Sequence, residues 1–72
     1  MKIYTQDRKA IIELPKEIWA TAYGLNRSAI IGTSYIAPSF GIYEGADRAA
    51  EILKEIFEYH RAGKKTYIMP EK

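Results

Sequence analysis

Hydrophobic and polar positions divide the chain into a β-patterned first half and a helical second half. Lys2-Ile3-Tyr4-Thr5 is short and β-prone, and Gln6-Asp7-Arg8-Lys9 interrupts it with turn-compatible polar residues. Ala10-Ile11-Ile12-Glu13-Leu14 reads as a second strand, closed by Pro15, which cannot donate to a ladder. From Glu17 to Tyr23 the pattern alternates: Trp19, Thr21 and Tyr23 share one face, and Ile18, Ala20 and Ala22 share the other. Gly24-Leu25-Asn26-Arg27 is a connection whose Gly and Asn tolerate positive φ. A strand over Ser28 to Ala37 follows, with Gly32 marking a bulge or a close approach to the backbone. Pro38-Ser39 turns into Phe40-Gly41-Ile42-Tyr43. The pattern predicts a meander of up to five short antiparallel strands.

Period 3.6 takes over at Ala46 and runs to Ala62. Asp47 in the first turn and Arg61 in the last both complement the helix dipole, and Gly63 stands where a left-handed C-terminal cap belongs. Ala46, Ala49, Ala50, Leu53, Ile56 and Phe57 form the expected core stripe, while Glu51, Lys54, Glu55 and Glu58 lie outside it. Lys65-Thr66-Tyr67-Ile68-Met69 reads as a last strand, ended by Pro70. The expected fold is α+β: a small antiparallel β-meander covered on one face by a single helix from the C-terminal half, followed by a short last strand.

Composition narrows what such a fold does. Seventy-two residues without cysteine make one domain, with no disulfide framework and no thiolate metal site. A chain of this size buries only about 60% of its unfolded surface, so oligomerisation is expected. The net charge of +2 is too small for a nucleic-acid arm or a membrane-surface patch. No stretch approaches the roughly 20 apolar residues of a membrane span, and Met1-Lys2-Ile3-Tyr4 does not open a signal peptide. A cytoplasmic location is expected by default.

Candidate chemistry is sparse. One His and no Cys do not supply a zinc site, and Glu44 and Asp47 read as a strand end followed by a helix start. Ser28, Ser34 and Ser39 lack a G-x-S-x-G elbow, and no glycine run forms a phosphate loop. His60, the one imidazole of the chain, falls at the end of the stripe, where a partly buried structural histidine is expected. No catalysis, cofactor or metal is expected.

Aromatic residues are the more informative feature, at 12% of the chain. Phe57 and one or two others serve the core, whereas Tyr4, Trp19, Tyr23, Tyr35, Tyr43, Tyr59 and Tyr67 exceed what one small core absorbs. Tyr and Trp with one wet end suit interfaces and base-stacking platforms. Interleaved with Arg8, Lys9, Arg27, Lys64 and Lys65, they suit a nucleobase and a phosphate together. The plainer alternative is oligomer packing, with Ile52 and Tyr59 as a second apolar seam on the helix.

Short motifs in order along the chain carry one resemblance. Thr5-Gln6-Asp7, the segment Phe40-Gly41-Ile42-Tyr43-Glu44-Gly45-Ala46-Asp47 continuing to Ile56, and Tyr67-Ile68-Met69-Pro70-Glu71 resemble small proteins of phages and prophages. Phe40 stands where that pattern has Leu, and Gly45 where it has a capping Thr or Ser. The chain thereby resembles viral nucleotide sponges of the anti-CBASS type, which bind the cyclic nucleotide signals of bacterial anti-phage defence without cleaving them. The resemblance implies a cyclic dinucleotide such as cyclic GMP-AMP, or a related nucleotide, held between protomers of a homo-oligomer. It implies Tyr4, Trp19 and Tyr35 as stacking residues, Arg8, Arg27 and Lys65 as phosphate contacts, and Asn26, Thr33 and Ser34 as readers of base edges or ribose. Packing roles for Trp19 and Tyr35, and solvated turn roles for Arg8 and Arg27, remain open alternatives. So do two other functions: a protein-interaction module acting through a strand edge or the Ile52/Tyr59 seam, and a nucleotide-cleaving enzyme using His60.

Overall fold

The structure is a computed structural model and describes residues 1–33 and 39–72. Six strands and one helix follow in order: β1 (Lys2–Tyr4), β2 (Ile11–Glu13), β3 (Ile18–Ala22), β4 (Arg27–Gly32), β5 (Gly41–Glu44), α1 (Ala46–Arg61) and β6 (Thr66–Ile68). The fold is α+β, with the helix on a sheet and a short strand after it. The expected single meander divides into two three-stranded sheets, ordered β2-β1-β6 and β3-β4-β5. Only β3-β4-β5 is a continuous antiparallel meander, and it is the sheet that α1 covers. β1 turns away from it to pair antiparallel with β2 and parallel with β6. A parallel pair needs a long crossover, and here the whole meander and helix supply it. The part of the expected fourth strand that runs over residues 34–37, and the turn at Pro38, lie outside the described residues.

Local rules explain the well-formed ends. Lys64 N–H donates to the Tyr59 carbonyl at 3.0 Å and Gly63 N–H to the His60 carbonyl at 3.1 Å, with Gly63 at φ 76°. This is a Schellman cap, which glycine alone adopts without steric cost. Gly32 satisfies a close approach: a Cβ there would meet the Pro15 ring and lie 3.2 Å from the Phe40 ring.

The helix is rotated from the face expected for it. Ala49, Ile52 and Ile56 are buried, whereas Ala46, Ala50 and Phe57 are exposed and Leu53 is half-buried. The Ile52/Tyr59 seam is therefore part of the core and not an oligomer surface. The cause is β6. Its buried Tyr67 donates a hydrogen bond to Glu55 Oε1 at 2.7 Å and meets Tyr59 edge-on, ring centroids 5.0 Å apart. Those contacts turn the Ile52, Ile56 and Tyr59 side inward and leave Phe57 outside. His60 lies at the exposed end of the helix and is not partly buried as expected.

The aromatic surplus shrinks accordingly. Tyr43, Tyr67 and Phe40 are among the largest fully buried side chains, alongside Ile3, Ile30 and Met69. Each buried tyrosine hydroxyl has a partner: Tyr43 donates to the Pro70 carbonyl at 2.7 Å, and Tyr67 to Glu55. Burial pushes the Tyr43 hydroxyl up to about 12. Burial raises Tyr67 as well, reinforced by the Glu55 carboxylate that accepts its hydrogen bond. Both groups stay neutral in the fold after their unfolded counterparts begin to ionise near 10.0. Their contribution is therefore whole below pH 10 and is lost as the pH rises toward 12. Urea unfolding at pH 9 and pH 11 should show a lower midpoint at the higher pH; an unchanged midpoint would contradict the burial of these hydroxyls.

Candidate functional site

The outer face of the β3-β4-β5 sheet carries two exposed aromatic residues, Trp19 and Tyr23. Register places Trp19 opposite Ile31, Thr21 opposite Ala29, Ala29 opposite Ile42 and Arg27 opposite Glu44. Residues directly opposite in an antiparallel pair share a face, so these side chains form one surface, turned away from α1. Trp19 and Tyr23 are 43% and 44% exposed, which is unusual for rings of that size on a strand and at its end. Alternation along Ile18–Ala22 produces the split, because Ile18 and Ala20 pack on the core side.

Arg27 closes one end of this surface. Its guanidinium lies 5.4 Å from the centroid of the Tyr23 ring, a cation–π distance. No carboxylate pairs with Arg27 among the described residues. Beside it opens a groove of about 780 Å³, lined by Arg27, Ile42, Tyr43, Glu44, Arg48, Glu71 and Lys72. That volume lies within the range of small-molecule sites. Arg48 is already committed: Nη2 donates to the Lys72 main-chain oxygen at 2.7 Å and Nη1 to Glu51 at 3.2 Å. Glu44 and Glu71 offset part of the positive charge, so Arg27 and Lys72 are the cations left for an anionic ligand.

The residues expected at the site fall into separate places. Trp19 and Arg27 share the outer face just described. Asn26 is exposed in the β3–β4 hairpin at φ 57°, and its carbonyl accepts from Gly45 N–H at 2.8 Å. Thr33 follows β4 and donates its N–H to the Glu17 carbonyl at 3.1 Å. Lys65 is exposed ahead of β6, and its carbonyl accepts from Lys2 N–H. Ser34 and Tyr35 lie outside the described residues.

Tyr4 and Arg8 belong to the other sheet. Tyr4 is half-buried, with the Arg8 guanidinium 5.2 Å from its ring centroid. Arg8 Nη1 donates to the carbonyls of Thr5 at 2.9 Å and Met69 at 2.8 Å. The turn holding Arg8 is fastened at several points. The buried Thr5 hydroxyl donates to Asp7 Oδ1 at 2.7 Å, and Lys9 N–H donates to the same oxygen at 3.0 Å. The Lys9 N–H and then the Thr5 hydroxyl hold the Asp7 carboxyl below its usual range. Arg8 itself sits at φ 62°, a conformation uncommon for a side chain of its size. These bonds make Arg8 a bracket between the β1–β2 turn and the C-terminal segment.

Sequence reasoning did not place Tyr23, Ile42 or Lys72 at the site. The signal for Tyr23 was present in the shared face of Trp19, Thr21 and Tyr23. Ile42 and Lys72 join only through the register of β5 and the path of the C-terminal segment. Among the described residues, no group of three His, Asp or Glu side chains converges as a metal site does. No protein-family profile, curated protein or solved structure shows a significant match to this chain.

Proposed function

We propose that this protein binds a nucleotide of the cyclic dinucleotide class and sequesters it without cleaving it, as a phage anti-defence protein would. The observation that carries the reading is Arg27, stacked over Tyr23 and free of any carboxylate partner among the described residues, at the lip of a nucleotide-sized groove. A guanidinium in this setting suits a phosphodiester, because charge-assisted hydrogen bonds to phosphate are about twice as strong as neutral ones. The adjoining face offers Trp19 and Tyr23 to a planar base, and stacking on such rings is worth roughly 1–3 kcal/mol per base.

A thermal-shift panel of cyclic dinucleotides, linear dinucleotides and mononucleotides tests this. One cyclic dinucleotide should raise the melting temperature strongly and be recovered intact after the protein is heated. Arg27→Ala should weaken its binding about 10- to 100-fold, the loss expected for one charge-assisted contact. Absence of a shift across the panel would sink the proposal, and recovery of a hydrolysed product would replace sequestration with catalysis.

A further inference from the structure

We infer that β3 is a self-pairing edge through which two copies of this chain join their β3-β4-β5 sheets into one six-stranded sheet. Tyr23 N–H donates to the Arg27 carbonyl at 2.9 Å, and Thr33 N–H to the Glu17 carbonyl at 3.1 Å. These bonds set the phase of the β3–β4 ladder, so Trp19 and Thr21 direct their main-chain groups toward β4. The N–H and C=O groups of Ile18, Ala20 and Ala22 therefore point outward, along an edge that carries no other strand among the described residues.

β3 differs from the other edges. β5 is occupied by a side chain: Gln6 Oε1 accepts from Ile42 N–H at 2.7 Å, and Gln6 Nε2 donates to the Ile42 carbonyl at 3.0 Å. β2 and β6 have three residues each, with Glu13 at the end of β2 and Lys65 just before β6. Short edges and charges at them are the usual protections against strand addition. β3 is longer, with five residues, Ile-Trp-Ala-Thr-Ala, none of them charged, and Glu17 stands just before it.

A second copy fits this edge in one register. An antiparallel pair centred on Ala20 sets Ile18 opposite the second copy's Ala22 and Ala20 opposite its own counterpart. It is the two-fold register in which all three outward residues pair within the strand, as a closed symmetric interface requires. Charge agrees with the same register. Glu17 falls opposite the second copy's Tyr23, two strand spacings (about 10 Å) from the second copy's Arg27. Glu17 and Arg27 are both exposed, lie on the same sheet face, and have no ion-pair partner among the described residues. Two-fold symmetry sets each about 10 Å from the other, twice, close enough for long-range attraction but too far for an ion pair, so Arg27 keeps its N–H donors for an anion. The dimer also brings the Trp19 and Tyr23 rings of both copies onto one continuous surface.

The oligomeric state of the nucleotide-free protein, by native mass spectrometry and sedimentation over a concentration series, tests the edge without reference to any ligand. A dimer is expected. Glu17→Arg should weaken it about three- to tenfold at low ionic strength by setting like charges about 10 Å apart, and Glu17→Arg with Arg27→Glu should restore the parent dissociation constant. Ala20→Pro should yield a folded monomer by circular dichroism, since it removes an N–H that no intrachain bond uses among the described residues. Should Ala20→Pro fail to fold, the charge exchange decides. A monomer at every concentration, or a dimer that Glu17→Arg leaves unchanged or that the double exchange fails to restore, overturns the inference. A dimer that ignores every nucleotide leaves the edge intact and removes the sequestration proposal alone.

Discussion

Ile56→Ala should lower the unfolding free energy by about 2–5 kcal/mol, while Phe57→Ala, one position along the same helix, should change it by less than about 1 kcal/mol. Ile56 is 2% exposed and sits in the core cluster with Ile3, Ile30 and Tyr67, so truncation leaves a cavity that its neighbours fill only in part. Phe57 is 59% exposed, and its loss removes little buried area. A chain of 72 residues holds on the order of 4–10 kcal/mol in total, so Ile56→Ala brings it close to unfolding at ambient temperature. Paired urea melts of the two variants measure the rotation of the helix about its axis. Equal losses at both positions, or a larger loss at Phe57, would place the helix in the orientation that its sequence stripe suggests and contradict the packing of Tyr67 against Tyr59.

Gln6→Ala is the second large expected effect, at about 2–4 kcal/mol, from the loss of three hydrogen bonds made by one side chain. The Gln6 amide pairs with both main-chain groups of Ile42 as a neighbouring strand would, and Nε2 also donates to the Glu71 carbonyl at 2.9 Å. Its own N–H donates to the Phe40 carbonyl at 2.9 Å. The residue thus ties the β2-β1-β6 sheet to the β5 edge and to the C-terminal segment. Truncation leaves the Ile42 groups without a protein partner. Hydrogen exchange should show the Ile42 amide losing protection first, ahead of the amides within β4. An Ile42 amide that stays as protected as in the parent protein would mean that Gln6 is not the clamp between the sheets.

Gln6 also shows why the two-sheet arrangement was hard to read from the chain. In sequence it is one polar residue among Gln6-Asp7-Arg8-Lys9, and turn formation accounts for it fully. Its strand-like role depends on Ile42, thirty-six positions away. Arg8 is similar: a solvated turn residue by composition, it reaches the Met69 carbonyl sixty-one positions away. The helix failed in phase and not in extent. Two apolar faces, one through Ala49 and Ile56 and another through Ala50 and Phe57, lie about 100° apart on its circumference and merge into one wide stripe, and alanine's small area leaves hydrophobicity unable to choose between them. Tyr67 makes the choice by binding Glu55 and packing on Tyr59. The surplus of tyrosines contracts for the same reason, because Tyr43 and Tyr67 become buried once a carbonyl and a carboxylate accept hydrogen bonds from their hydroxyls.

Local interactions were enough for the sequence to determine the α+β class, the helix from Ala46, its glycine cap at Gly63 and the two faces of β3. Each of these follows from residues within a few positions of one another, or from a side chain that glycine lacks. Tertiary structure alone decided the division into two sheets, the parallel pairing of β1 with β6, the inward face of α1, the clamp made by Gln6, and the grouping of Trp19, Tyr23 and Arg27 apart from Tyr4 and Arg8. Those features rest on pairings across most of the chain. Hydrophobic periodicity states which residues leave water, and it carries no information about which distant partner receives them.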